Sequence, residues 1–194
     1  MKNQISIHIG EYHASSEPAV IHTVLGSCVA VCLLDPVNQI GGMNHILLPG
    51  RADMNHFDDA ARYGINAMEL LINRIMGLGG DRRQLIAKVF GGAHVVPAIS
   101  KENGVGRKNA VFVLQFLKNE RIRIINKDLG GHESRKVYFH TDTGDVFLKR
   151  IRCANFTNIA LEEKRRYGQV QKDARKAGEV TLFQGDHQYT RSAL

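Results

Sequence analysis

Thr23-Val24-Leu25-Gly26-Ser27-Cys28-Val29-Ala30-Val31-Cys32-Leu33, followed by Gly41-Gly42-Met43-Asn44-His45-Ile46-Leu47-Leu48-Pro49, is the most informative stretch of the chain, two neighbouring apolar strands that carry a cysteine and a histidine. Cys28 to Leu34 is a nearly continuous apolar run, the pattern of a strand buried on both faces. Asp35-Pro36 begins a turn. Ile40 to Leu48 reads as the next strand, closed by Pro49-Gly50. Two strands so near in sequence can pair directly. Gly26-Ser27 permits a tight turn that leaves Cys28 at a strand end, its thiol near a cleft, where a backbone N–H can serve an oxyanion. Pairing then puts His45 opposite or diagonal to Cys28, within side-chain reach. A thiol beside an imidazole can form a nucleophile, because the imidazolium favours the thiolate. Thr23, at the end of the preceding strand, can hold the second imidazole nitrogen by its hydroxyl or carbonyl. Each residue also has a plainer reading. A buried cysteine usually packs as a small apolar group, a strand histidine can be held by hydrogen bonds alone, and a threonine favours a strand. Cys32 lies on the same strand face as Cys28 and reads as core. Asn44 faces away from His45.

Outward from this stretch, Ile5-Ser6-Ile7-His8-Ile9 alternates as a strand, Gly10 to Pro18 reads as a loop, and Ala19 to Leu25 as a second strand. A polar loop spans Arg51 to Phe57. Asp58 can cap a helix over Asp59 to Met76. Gly64, Ala67, Met68, Leu71, Ile72 and Ile75 form its buried stripe. Leu85 to Phe90 is a strand running into Gly91-Gly92. Gly104 to Gly106 reads as a loop before a helix over Lys108 to Asn119, which buries Ala110, Val113, Leu114 and Leu117. Ile122 to Asn126 is a short strand. Val137-Tyr138-Phe139-His140 and Val146-Phe147-Leu148 flank the hairpin turn Thr141-Asp142-Thr143-Gly144.

With 194 residues, 43% of them hydrophobic, the chain can bury a real core. No apolar run approaches a membrane span, and the N-terminus lacks a secretory pattern. Three cysteines argue against a disulfide scaffold and for a cytosolic protein with thiols. The net charge of +7 sits in the second half: residues 1–100 carry 7 basic and 8 acidic side chains, residues 101–194 carry 19 and 11. An acidic partner is one use of that charge, and a solvated face is the other. No basic–aromatic motif points to nucleic acid. Cys28-x3-Cys32 is not a zinc spacing, and the other histidines are scattered. Neither phosphate-loop pattern is present. From Ala154 onward the composition shifts. Leu161 to Ala177 reads as a charged helix with a tail beyond it.

Five pieces in order resemble the CheD family of chemoreceptor glutamine deamidases: Leu25-Gly26-Ser27-Cys28-Val29-Ala30-Val31; Gly41-Gly42-Met43-Asn44-His45 with Leu48-Pro49; Lys88-Val89-Phe90-Gly91-Gly92-Ala93; Gly106-Arg107-Lys108-Asn109; and Asp128-Leu129-Gly130-Gly131 with Arg135-Lys136-Val137. They cover roughly residues 5–151. The resemblance implies a deamidase domain over 1–152 and a basic helical extension and tail over 153–194. It implies a cytoplasmic protein-glutamine glutaminase that converts receptor glutamines to glutamates and needs no metal or organic cofactor. Cys28 would be the nucleophile, His45 the base and Thr23 the residue orienting the imidazole, although in some members the threonine stands one position earlier, where this chain has His22. The resemblance implies an α+β fold, a mixed β-sheet core with helices packed on it, similar to the deamidase domain of cytotoxic necrotizing factor toxins. Partners would be methyl-accepting chemotaxis receptors, with Lys164, Arg165 and Arg166 steering the encounter, and a CheC-type phosphatase, without nucleic acid or membrane insertion. A non-catalytic adaptor for the same partners is the alternative.

Overall fold

A computed structural model describes residues 2–48, 59–95 and 104–151, with 165, 168 and 169 besides. In chain order the strands and helices are β1 (Asn3–Ser6), β2 (Tyr12–Ser15), β3 (Ala19–Leu25), β4 (Val29–Asp35), β5 (Ile40–Ile46), α1 (Asp59–Gly77), β6 (Ile86–Gly91), α2 (Val105–Asn119), β7 (Arg123–Leu129), β8 (Ser134–His140) and β9 (Val146–Ile151). They form a four-stranded sheet in the order β1-β3-β8-β9 and a five-stranded sheet in the order β2-β5-β4-β6-β7. The pairs β1–β3 and β6–β7 are parallel and the rest antiparallel. The fold is therefore α+β with mixed sheets.

Three layers follow from where the apolar side chains go. Every residue of β4 and of β5 is buried, so the five-stranded sheet must be covered on both faces. One face, with Val29, Val31 and Leu33, packs on Met68, Leu71, Ile72 and Ile75 of α1 and on Phe112, Val113, Phe116 and Leu117 of α2. The opposite face, with Cys28, Ala30, Cys32 and Leu34, packs on Ile21 and Leu25 of β3 and Val137 and Phe139 of β8. The helices thus close one side and the four-stranded sheet the other.

Several boundaries differ from those the local pattern predicts. β1 starts two residues earlier than the Ile5–Ile9 alternation. β2 lies inside the predicted Gly10–Pro18 loop. It pairs with β5, but Ala14 is its one buried residue, so there is no apolar alternation to read. α2 begins at Val105, inside the predicted loop, and buries Gly106, Asn109, Phe112, Val113, Phe116 and Leu117. Ala110 and Leu114 are only partly covered. Gly106 explains the shift: a Cβ there would come within 2.5 Å of the Gly92 carbonyl oxygen and 2.6 Å of that of Ala93, so glycine lets the helix backbone rest on that strand end and turns the buried stripe. The Arg51–Phe57 loop, the Asp58 cap, the extension over 153–194 with its helix, and Lys164 and Arg166 fall outside the described residues, apart from the exposed Arg165.

Candidate active site

The three residues picked out by the sequence come from both sheets. β3 belongs to the four-stranded sheet, and strand alternation gives it two faces. Ile21, Thr23 and Leu25 point inward and are buried, while His22 and Val24 face the other way and are half-buried. The His22 ring instead rests 5.7 Å from that of Tyr138. Facing β3 across the layer is β5, where His45 is 4% exposed. Thr23 Oγ1 stands 2.8 Å from His45 Nδ1. The residue that reaches the imidazole is thus Thr23 and not its neighbour His22, and strand parity is the reason.

Register places the cysteine. Ala30 of β4 pairs with His45 of β5, so the two side chains share a face. Cys28, two residues before Ala30, continues that face and joins the same cluster. Cys28 and His45 are therefore diagonal neighbours on adjacent strands, a relation in which Cα atoms lie about 7–8 Å apart. Asn44 points to the other face, where its amide donates to the Ala67 carbonyl at 3.2 Å and its carbonyl accepts from the Val31 N–H at 3.1 Å.

Hydrogen bonds assign the imidazole tautomer. The Thr23 hydroxyl has one proton, and the Ile7 carbonyl oxygen lies 2.7 Å away to accept it. Toward His45 the hydroxyl can then only accept, so Nδ1 carries the ring proton and Nε2 keeps its lone pair. Nε2 is buried with no hydrogen-bond partner. Burial, and secondarily the charge of His8, push the His45 pKa down to about 3, so the ring is neutral at physiological pH. The backbone around the ring is pinned as well: the His45 N–H donates to the Glu11 carbonyl at 3.0 Å, and the Gly10 N–H donates to the His45 carbonyl at 2.8 Å.

Cys28 and Cys32 are both buried thiols. Burial pushes the Cys32 thiol up, which suits a core residue. Cys28 is 0% exposed, which corrects the expectation of a thiol near an open cleft. The four-stranded sheet covers it, a contact that nothing in the local pattern announces. Among the described residues no three His, Cys, Asp or Glu side chains cluster as a metal site would need.

The remaining quoted motifs converge on the cysteine turn, a role that spacing does not reveal. The Gly92 N–H donates to the Cys28 carbonyl at 2.7 Å, and the Ala93 N–H to the Gly26 carbonyl at 2.8 Å. Gly91 has φ +114°, and a Cβ there would collide with the Cys28 carbonyl oxygen, so glycine is required. The buried Asn109 donates from Nδ2 to the Ser27 carbonyl at 2.9 Å and accepts from the Leu48 N–H at 3.0 Å. The Gly130 N–H donates to the Gly91 carbonyl at 2.9 Å, and the His94 N–H to that of Gly131 at 2.8 Å. The Arg135 guanidinium braces that glycine turn by donating to the Asp128 carbonyl at 2.7 Å, to the Asp128 carboxylate and to the Gly130 carbonyl. Beside Gly92 a groove of about 720 Å³ runs between α2 and the end of β7, lined among others by Arg107, Val111, Leu114, Lys127 and Leu129.

Comparison with known proteins follows the same lines. The family model for CheD chemotactic sensory transduction matches residues 47–150, beginning just past His45. Relatives extend the match. One from Shewanella oneidensis is 45% identical over 184 residues, covering 94% of this chain and 88% of the relative. One from Methylobacillus flagellatus is 45% identical over 178 residues, covering 90% and 86%. A third, from Vibrio vulnificus, is 39% identical over 192 residues, covering 93% and 87%. All three are named as probable chemoreceptor glutamine deamidases. The 94% coverage is too great to omit the segment from Thr23 to His45.

Proposed function

We propose, because the chain belongs to the CheD family, that it hydrolyses glutamine side chains of chemotaxis receptors to glutamate, with Cys28 as nucleophile, His45 as base and Thr23 as the residue orienting the imidazole. The observation that carries this reading is the Thr23–His45 hydrogen bond. With the Thr23 proton spent on Ile7, it makes His45 Nε2 the basic nitrogen and sets it on the face that carries Cys28.

The steps balance without an added cofactor. His45 Nε2 takes the Cys28 proton, and the sulfur forms a bond to the carboxamide carbon while the carbonyl π pair moves to oxygen. Backbone N–H groups at the cysteine turn hold the oxyanion. The imidazolium returns its proton to the leaving nitrogen, the C–N bond breaks, and ammonia departs, leaving a thioester. Water then attacks with its proton taken by Nε2. The C–S bond breaks, and glutamate and the thiol are released. Methyl-ester hydrolysis would follow the same acyl path.

Burial of Cys28 and His45 means that the site must open to admit a side chain. Arg107 and Lys127 put positive charge in the groove beside Gly92, which favours an acidic receptor segment. A KM that rises with added salt is the expected signature. The proposal also places the protein in the cytoplasm. Two buried thiols suit a reducing compartment, and no helix among the described residues is long and apolar enough to cross a membrane. Kinship with the cytotoxic necrotizing factor-like deamidases is part of the same reading. A Cys–His pair on a mixed sheet, oriented from a second sheet, supports it. The sealed thiol favours one rival, an adaptor that binds receptors or a CheC-type phosphatase without chemistry. Mass spectrometry of a receptor fragment incubated with the protein separates the two. A gain of about one dalton at particular glutamines, with ammonia released, is expected of the hydrolysis. Unchanged glutamines would leave the adaptor.

A further inference from the structure

We propose that Asn109 is a positioning residue of the deamidation site, holding the cysteine turn and the histidine strand in one frame. The inference rests on the deamidase reading above and assigns a role to a residue that touches neither thiol nor imidazole.

Three consecutive carbonyls of the nucleophile's turn each receive a donor: Gly26 from the Ala93 N–H, Ser27 from Asn109 Nδ2, and Cys28 from the Gly92 N–H. Two of these clamps are backbone, so truncating a side chain leaves their donors in place. The third is a side chain. It also sits on the peptide that matters most for the chemistry. The Ser27–Cys28 peptide is planar and trans, so its C=O and N–H point in opposite directions. Drawing the Ser27 oxygen toward α2 sends the Cys28 N–H away from α2. That helix lies across the sheet from the cluster holding the Cys28 side chain. Asn109 thereby sets the orientation of the peptide that joins the turn to the nucleophile.

The other end of the same carboxamide ties down the base. Oδ1 accepts from the N–H of Leu48, three residues along the chain from His45. One planar group therefore spans the start of β4 and the continuation of β5, where the two strands have no connecting turn. Asn109 is itself immobilised. It is 0% exposed, it rides on a helix anchored by Phe112, Val113, Phe116 and Leu117, and that helix rests through Gly106 on the carbonyls of Gly92 and Ala93. The part that clamps Gly26 and Cys28 and the part that clamps Ser27 and Leu48 are thus seated on each other, as a preorganised site requires.

The test is steady-state ammonia release from a receptor cytoplasmic fragment, with the fold of each variant followed by circular dichroism and melting temperature. Asn109→Asp keeps the shape and the acceptor toward Leu48 but sets an oxygen against the Ser27 carbonyl. Asn109→Ser is smaller and uncharged, and decides the matter should the aspartate prevent folding. Ile75→Val, on α1 in the same core, supplies a destabilised control. Misplaced reacting groups cost about 100-fold, so kcat in the Asn109 variants should fall by about that factor with KM within threefold. Ile75→Val should lose melting temperature and keep kcat within about twofold, as a packing defect remote from the chemistry does. A folded Asn109 variant whose kcat falls no further than that of Ile75→Val overturns the inference. Wild-type protein that releases no ammonia overturns the deamidase reading instead, so the two failures are told apart.

Discussion

One face of the five-stranded sheet meets the helices and the other meets the four-stranded sheet, and the two are filled by different residues. Toward the helices, β4 presents Val29, Val31 and Leu33, bulky groups that interlock with leucine, isoleucine and phenylalanine. Toward the second sheet it presents Cys28, Ala30, Cys32 and Leu34. The small side chains there leave room for an imidazole and a hydroxyl. The helix side admits polar groups such as Asn44 and Asn109, each satisfied on nearby backbone. The sheet side leaves His45 Nε2 buried without a partner. A buried polar atom left unsatisfied lowers stability, and this one lies where the proposed proton transfer needs a lone pair. One face holds the fold together and the other gives up some of that stability for chemistry.

The comparison can be broken at several points. Removing the thiol should have the largest effect. Cys28→Ala is expected to lower deamidation on the order of 10⁴-fold or more, read as glutamine conversion by mass spectrometry, while the protein stays folded. Full activity in that variant would end the nucleophile assignment. On the helix side, Leu71→Ala should cost about 2–5 kcal/mol of stability by leaving a cavity. Measured by urea unfolding, that loss should come with kcat per folded molecule unchanged; a comparable fall in kcat would erase the distinction between the faces.

Thr23 sharpens the contrast within the sheet-facing side. Thr23→Val keeps shape but removes the acceptor for His45 Nδ1–H, so kcat should drop about 100-fold, while Thr23→Ser keeps the hydroxyl and most of the rate. Equal rates in the two variants would show that the hydroxyl does not orient the ring. Acid titration probes His45 next. The folded pKa is near 3 and the unfolded value about 6.5, so this contribution to stability is whole above pH 6.5. As pH falls toward 3 it is lost, because the unfolded chain takes up a proton that the folded one refuses. The loss approaches about 1.4 kcal/mol per pH unit. Subtracting the profile of His45→Gln from that of wild type isolates it, and a flat difference would mean that the ring is not held neutral. His22→Ala should do least, changing kcat by roughly twofold or less, since His22 faces outward against Tyr138. A large loss there would move the orienting role to the earlier position.

Much of this arrangement is written in local pattern. The unbroken apolar run of β4, the glycine–serine turn before Cys28 and the boundaries of β3 follow from residue type and the two-residue period of a strand. So do the buried stripe of α1, apart from the half-buried Ala67, and the Thr141–Gly144 hairpin. The pairing of β4 with β5, and hence the Cys28–His45 relation, follows from their closeness in sequence. Other features depend on distant partners. β2 exists because an edge of β5 accepts it, and α2 starts early because Gly106 meets Gly92 and Ala93. Thr23 reaches His45 only because a second sheet lies over the first, and the thiol is sealed for the same reason. Asn109 gains its place by joining Ser27 to Leu48, 82 residues from the first and 61 from the second. Periodicity along a chain reports which way a side chain points from its own strand or helix. What it meets there is set by the packing of layers, a sum of contacts between residues that no local pattern links.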